Sequence, residues 1–578
     1  MEQVKHECGI AMLRLRRKPQ FYEQKYEAPF YGTDLLFHLM EKQYNRGQEA
    51  AGIGCVCSDA PPDSQYMLFK KAQGIHAIGD IYSEIMAAIP ESADARHSTL
   101  PFSADCLMGH LRYSTTGRTG IEHVHPFLHK GSDRATDLLL CGNFNFTNTS
   151  EILQSLRSDT PFTGQESDAA IILRQTGEAL DRQLAEKGEI SIAETLKEIA
   201  PSWDGGYVIC GLHGNGYMWT LRDAHGIRPA FYFADDEIVA VASERAALQS
   251  VLRVEAEKIK ELPRGAALLI NPAGDFRIEQ ILALAKESQC SFERIYFSRG
   301  NDRDIYRERK MLGRLLAPAV RESVGADFEN TVFTFIPNTA ETAYYGLIEG
   351  LREQPGSVAR LRAEKVMVKD IRLRTFMANS AIRPEMAAQA YDITYSSIVP
   401  GRDTLVVVDD SIVRGTTLRQ SIISRLDSLR PKTIIFVSSS PQVRFPDYYG
   451  IDMPTLEEFV AFRAAISLLK ESGRGDIISA VYEKCLRQRK ASGRLQNHVK
   501  ELYEPFTERQ ISARAASLLT PQEVRAEIKM IYQTVADTHK AIPHHTGDWY
   551  FTGDYPTPGG YRLLNETFIR YCEKEKLE

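Results

Sequence analysis

The run Leu405-Val-Val-Val-Asp-Asp-Ser-Ile-Val-Arg-Gly-Thr-Thr417 leaves this chain few folds to choose from. Its apolar, β-branched start reads as a strand buried on both faces, which calls for a sheet with helices on either side. That strand delivers two adjacent carboxylates, Asp409 and Asp410, to its C-terminal end. A turn rich in Gly, Ser and Thr follows, and a helix is expected from about Leu418. Ligands of open α/β sheets bind at this edge. Converging backbone N–H groups, hydroxyls and a helix N-terminus suit a phosphate. Carboxylates would repel that phosphate, so Asp409 and Asp410 are assigned instead to sugar hydroxyls or Mg²⁺.

The surroundings agree with this reading. Residues 332–336 and 433–437 are also apolar runs, and amphipathic segments alternate with them between about 290 and 440. That alternation predicts a parallel α/β sheet. The earlier part differs. Short runs at 9–13, 52–56, 138–141, 207–212 and 238–241, with an amphipathic stretch at 166–184, predict sheets with helices packed on them. Beyond about 460 the chain is Lys/Arg/Glu-rich, with helices expected at 456–469, 476–489 and 521–538, then a turn-rich stretch at 547–560. A length of 578 residues already implies more than one domain.

Composition mainly excludes. A net charge of −6 gives no electrostatic case for nucleic acid as a ligand. No apolar run approaches the ~20 residues of a membrane span. The polar start Met1–Glu7 is no signal peptide, so a cytoplasmic protein is expected. Nine scattered cysteines without a C-x-x-C argue against a disulfide scaffold or a thiolate metal site.

The unit at 405–417 resembles the phosphoribosyl-pyrophosphate (PRPP) motif of type I phosphoribosyltransferases. The resemblance implies that Asp409 and Asp410 meet ribose hydroxyls and Mg²⁺, while Ser411, Ile412, Val413, Arg414, Gly415, Thr416 and Thr417 wrap the 5′-phosphate. It also implies a pyrophosphate loop at Pro337-Asn-Thr-Ala-Glu341, with Thr339 as a metal or phosphate contact. Lys369-Asp-Ile-Arg-Leu-Arg-Thr-Phe376 is similar to the mobile loop of that fold, whose Lys369 and Arg374 would neutralise charge as pyrophosphate leaves.

At the other end, Cys8-Gly9-Ile10 is followed in order by Asn45-Arg-Gly-Gln-Glu-Ala-Ala-Gly-Ile53, Gly109-His-Leu-Arg-Tyr-Ser-Thr-Thr-Gly117, Gly142-Asn-Phe-Asn-Phe-Thr-Asn148 and Ser167-Asp168. These resemble the glutaminase domain of class II amidotransferases, in which an N-terminal nucleophile acts. The resemblance implies that Cys8 attacks glutamine with its own α-amino group as base, so Met1–Glu7 would be a removed propeptide. Arg46, Arg112 and Asp168 would bind the glutamine, Arg112 at its carboxylate and Asp168 at its ammonium. Asn143 and the backbone N–H of Phe144 would form the oxyanion hole.

Glutaminase motifs followed by the PRPP motif resemble, as a set, the glutamine PRPP amidotransferase family (amidophosphoribosyltransferases). That family implies an N-terminal-nucleophile αββα domain at 8–265, a type I phosphoribosyltransferase domain at 285–460 and a helical extension at 461–578. It also implies conversion of PRPP and glutamine to 5-phosphoribosylamine at the entry to purine synthesis, with ammonia passed between two sites and Tyr296 near the channel wall. Purine-nucleotide feedback inhibitors and a homotetramer follow by analogy. Four departures stand out. Phe144 replaces a usual glycine, where a left-handed backbone would be strained. The mobile loop is one residue short. Asn338 and Ala340 stand where acidic and hydroxyl residues are common. Asp447 follows Phe-Pro where some members carry an iron–sulfur ligand, so no cluster is expected. A non-catalytic PRPP or nucleotide sensor on the same fold is the alternative.

Overall fold

The computed structural model describes residues 8–58, 60, 65–88, 102–113, 120–156, 167–354, 360–369, 391–451, 453–490 and 495–575. They fall into two compact units, residues 8–289 with 448–451, and residues 290–447 with 453–575. Among the described residues no helix is long and apolar enough to cross a membrane.

The first unit is built on a seven-stranded and a six-stranded sheet. Gly9–Leu15 runs antiparallel between Ile238–Ala242 and Cys106–Arg112. All seven of its residues are buried, because both of its faces are covered. One face (Ile10, Met12) meets Leu139, Cys141 and Val208 of the second sheet. The other (Ala11, Leu13, Leu15) meets the helices Tyr31–Glu41 and Ala77–Ala87. Helices Asp168–Lys187 and Ile192–Ile199 cover the outside of the second sheet. The layering is αββα, as expected. Ser167 caps Asp168–Lys187 through its hydroxyl, and Gly188, at φ 74°, ends it.

The second unit centres on a five-stranded sheet in the order Arg362–Ala363, Thr331–Phe335, Thr404–Asp409, Thr433–Ser438, Glu527–Tyr532. All its pairings are parallel. Thr404–Asp409 lies at its middle, with its four inner residues buried. The helices Val460–Glu471, Asp476–Arg489, Glu508–Leu519 and Pro558–Glu575 lie in the C-terminal stretch. One expectation is corrected here. The stretch 521–538 is not a helix; it holds the strand Glu527–Tyr532 and the short helix Val535–Ala541. Glu-Ile-Lys-Met alternates polar and apolar residues with period two, and one row of ladder partners suffices at a sheet edge.

Candidate active sites

The carboxylate pair sits where the sequence placed it. Asp409 ends the central strand, in register with Ser438 of Thr433–Ser438. Asp410 begins the turn, its N–H donating to Asp409 Oδ1 at 2.9 Å. Ser439 holds the turn twice, by N–H to Asp409 O at 2.9 Å and by hydroxyl to Asp410 O at 3.1 Å. Burial pushes the Asp410 carboxyl up to about 6, against the opposing charge of Arg309 and hydrogen bonds from Ser411 and Thr339. Asp409 is driven well up by burial and by the neighbouring Asp410.

Around them lies a cleft lined by Tyr296, Pro337, Thr339 and Tyr391 together with residues 409–418. Thr339 and Tyr296 thus line the same cleft as the two carboxylates. Lys369 lies close enough to Asp410 to be influenced by it, while burial lowers its pKa. It faces Tyr391 across the ribbon Met367–Lys369 and Tyr391–Ile393. Arg374 and the rest of the expected mobile loop lie outside the described residues. Ile412 and Val413 are buried and lie in the wall of the cleft. Arg414 pairs with Glu458 at 2.6 Å. Gly415 has φ 71°, which favours glycine, and a Cβ there would lie 2.4 Å from Leu519 Cδ1, so that Leu519 would have to shift. Thr416 and Thr417 open a widened helical turn, 418–422, that runs into Ile423–Asp427.

Sequence reasoning missed Arg309. Its guanidinium is buried and donates to the carbonyls of Arg294, Tyr296 and Ser298 at 2.8, 3.0 and 2.7 Å. It thereby shapes the segment carrying Tyr296 while facing Asp410. Ala340 is fully buried in the apolar core of this unit, so a hydroxyl there would need a buried partner. Asp447 Oδ1 accepts from Trp549 Nε1 at 2.8 Å, and Cys290 Sγ lies 3.5 Å from the Tyr550 hydroxyl.

In the first unit Cys8 stands at the head of the central strand, half-buried, its Sγ 3.7 Å from Tyr113 O. Burial pushes its thiol up, opposed by the Tyr113 backbone, Arg112 and Arg46. Arg112 ends the neighbouring strand and is buried. Arg46 is 1% exposed and donates through Nε to Glu244 Oε1 at 2.9 Å. Asn45 reaches the same oxygen at 2.7 Å. Ser243 fixes Ile10, its hydroxyl accepting the Ile10 N–H at 3.0 Å.

Asn143 and Phe144 lie in the strand Leu138–Phe146, and Phe144 has no left-handed backbone. The expected strain is absent because the residue is in the extended ladder. Its partner Tyr207 directs both backbone groups elsewhere: N–H to Asp223 Oδ2 at 3.3 Å, C=O to the Asp223 N–H at 3.0 Å. The pair is therefore of the non-hydrogen-bonded kind, and Phe144's N–H points to the opposite edge. Phe127–His129 covers that edge only as far as Leu140. Farther on, Gly142 N–H donates to His125 Nδ1 at 3.2 Å and Phe146 N–H to Asp168 Oδ2 at 3.1 Å. The N–H of Phe144 sits between these two. Asn143 shares a strand face with Leu139 and Cys141, toward the first sheet. Cys8 is near enough to Cys141 to raise that thiol further.

The fold is thus that of a glutaminase of the N-terminal-nucleophile class joined in one chain to a type I phosphoribosyltransferase sheet. The chain is a homologue of the amidophosphoribosyltransferases. It is 27% identical to the Bacillus subtilis (strain 168) amidophosphoribosyltransferase over 481 residues, covering 82% of this chain and 88% of the relative. It is 28% identical to that of Pseudomonas aeruginosa over 443 residues, covering 74% and 80%. Two solved structures share the fold. The B. subtilis glutamine PRPP amidotransferase, complexed with ADP and GMP, aligns with TM-score 0.64 and 23% identity over 95% of this chain and 97% of that one. A structure described as the allosteric regulatory enzyme of purine biosynthesis aligns with TM-score 0.63 and 24% identity over 95% and 96%. No family profile matches the chain.

Proposed function

We infer that the protein is an amidophosphoribosyltransferase: it converts PRPP, glutamine and water to 5-phosphoribosylamine, glutamate and pyrophosphate, the first step of purine synthesis. The observation that carries this reading is a coincidence within one chain. A buried carboxylate pair stands over a Gly/Ser/Thr turn in one unit, and a cysteine stands at the head of a central strand, close to Arg112 and Arg46, in the other.

In the glutaminase unit, Cys8 is the nucleophile, and its α-amino group becomes available as base once Met1–Glu7 is removed. The thiol's raised pKa fits a group that waits for that base. Arg112 and Asp168 hold the two charged ends of glutamine, and Arg46 supports the strand head through Glu244. Asn143 and the Phe144 N–H receive the developing oxyanion. Cys8 Sγ bonds to the amide carbon, ammonia departs, and water then releases glutamate from the thioester. The sensor alternative loses its main support, since Phe144 is unstrained.

In the transferase unit, residues 411–417 cradle the 5′-phosphate with backbone N–H groups and hydroxyls. Asp409 and Asp410 orient the ribose, and Lys369 and Arg374 balance the departing pyrophosphate. The two carboxylates repel each other in a buried place, which suits a divalent cation. Among the described residues no three ligating side chains cluster, so Mg²⁺ would be shared with substrate oxygens, its usual habit. When bound, Mg²⁺ supplies charge neutralisation on the pyrophosphate. Ammonia replaces pyrophosphate at C1 of the ribose. Asp447, already paired with Trp549, supports a member that needs no iron–sulfur cluster at that place. Purine nucleotides as feedback inhibitors and a homotetramer belong to the same reading, the former supported by the ADP and GMP of the B. subtilis structure.

The test is pyrophosphate release dependent on both glutamine and PRPP. Cys8→Ala should abolish the glutamine-dependent rate and leave the ammonia-dependent rate standing. Loss of both would sink this division of labour.

A further inference from the structure

His110 and His125 were not assigned any role above, yet both rings close on one residue of the glutaminase strand. His110 Nε2 lies 3.1 Å from Gly142 O, and Gly142 N–H donates to His125 Nδ1 at 3.2 Å. The rings stack, with centroids 4.1 Å apart and planes 14° from parallel. These contacts set both tautomers: His110 donates to a carbonyl, so its proton is on Nε2, and His125 accepts at Nδ1, so its proton is also on Nε2. His110 is fully buried, and among the described residues its Nδ1 has no hydrogen-bond partner. Burial, with Arg112 and Lys71, keeps both imidazoles uncharged, and at His125 the neighbouring His110 adds to this. Gly142 itself is closed to a side chain: a Cβ there would lie 2.5 Å from Val208 O and 2.6 Å from the Phe144 ring. The His125 ring also stands 5.6 Å from that Phe144 ring.

Two residues along the same edge lies the N–H assigned above to the oxyanion. Where a neighbouring strand would normally fix the edge, two imidazoles do so instead. We propose that His110 and His125 are positioning residues for glutamine hydrolysis, a stacked clamp on both backbone groups of Gly142 that aims the N–H of Phe144. The proposal rests on the reading of Cys8 and Phe144 as glutaminase parts. The clamp touches no substrate; it acts through the strand.

The variants that test it are His125→Ala and His110→Ala, with His125→Asn, which returns an acceptor near Nδ1, and His110→Gln, which returns a donor near Nε2. Rates are taken on the full chain as purified and counted per Cys8 by stoichiometric alkylation, so that unfolded protein does not contribute. The alanine variants should lose about tenfold to a hundredfold in kcat for glutamine hydrolysis, the scale of a misplaced or missing oxyanion donor. KM for glutamine should stay within about twofold, and the amide-bearing variants should recover most of kcat. The ammonia-dependent reaction should not change. An unaltered kcat in both alanine variants, a rise in KM with kcat constant, or no recovery by Asn and Gln would each overturn the clamp. Absence of glutamine hydrolysis in the wild-type protein, or its survival in Cys8→Ala, would instead overturn the underlying assignment and the clamp with it.

Discussion

At Asp410 burial disfavours the charged carboxyl more than Arg309, Ser411 and Thr339 favour it, and the group is pushed up to about 6. The sign of the consequence follows from linkage. Between about pH 4 and 6 the folded state holds more protons on this group than the unfolded chain does. Stability of the ligand-free protein therefore falls as pH rises through that window. Asp410→Asn should flatten this part of the melting-temperature profile and cut PRPP-dependent pyrophosphate release roughly a hundredfold, with glutamine hydrolysis intact. A profile unchanged by the substitution would show that Asp410 is not the group responsible. At Cys8 burial acts in the same direction on a thiol. With Met1–Glu7 attached, alkylation of Cys8 should be slow at neutral pH and climb about tenfold per pH unit up to and beyond 9. A protein beginning at Cys8 should react faster at pH 7.5, as mass spectrometry of the alkylated peptide would show.

The turn proposed to hold the phosphate is braced from outside by elements that the sequence left without a role. Val460 N–H donates to Val413 O at 3.0 Å, and Arg463 Nη2 to Arg414 O at 2.7 Å. Leu519, at the end of Glu508–Leu519, packs against Gly415. Helices Val460–Glu471 and Glu508–Leu519 therefore buttress the loop. Gly415→Ala meets two penalties, a left-handed backbone at φ 71° and contact with Leu519. It should raise KM for PRPP about tenfold or more in steady-state pyrophosphate release, with KM for glutamine unchanged. Equal effects on both substrates would mean that the change spreads beyond the loop. Buried strands of this unit were legible because unbroken Val, Ile and Leu runs have few other uses. Glu527–Tyr532 was not, because its short alternation is flanked by strongly helical residues. Phe144 was misjudged for a related reason: a motif shows which residue stands at a position, whereas the backbone angle there depends on the ladder partner.

Across the whole chain, local patterns revealed each site's own loop and strand, while partners distant in sequence stayed hidden. Arg309 and Asp410, or His125 and Gly142, meet only after the topology is known. The C-terminal stretch is the largest case. It reads as an appendage, yet Glu527–Tyr532 is hydrogen-bonded along Thr433–Ser438, pairing six residues from Thr433↔Glu527 to Ser438↔Tyr532. Leu456, Phe459, Phe462, Leu469 and Leu519 are each at most 1% exposed. Burying such side chains is worth about 1.5–3 kcal/mol apiece, against a typical net stability of roughly 5–15 kcal/mol. A chain ending at Pro454 would uncover the surface these side chains pack against and leave Thr433–Ser438 as an apolar edge strand paired on one side only, a template for aggregation. It should accumulate in the insoluble fraction and show no cooperative melting of the transferase unit, whereas the full chain melts cooperatively. PRPP should not shift its melting temperature, because Val413 and Arg414 would have lost the helix donors that hold their carbonyls. A soluble truncated chain that still melts cooperatively and is stabilised by PRPP would overturn the buttress and return the C-terminal region to the status of an appendage.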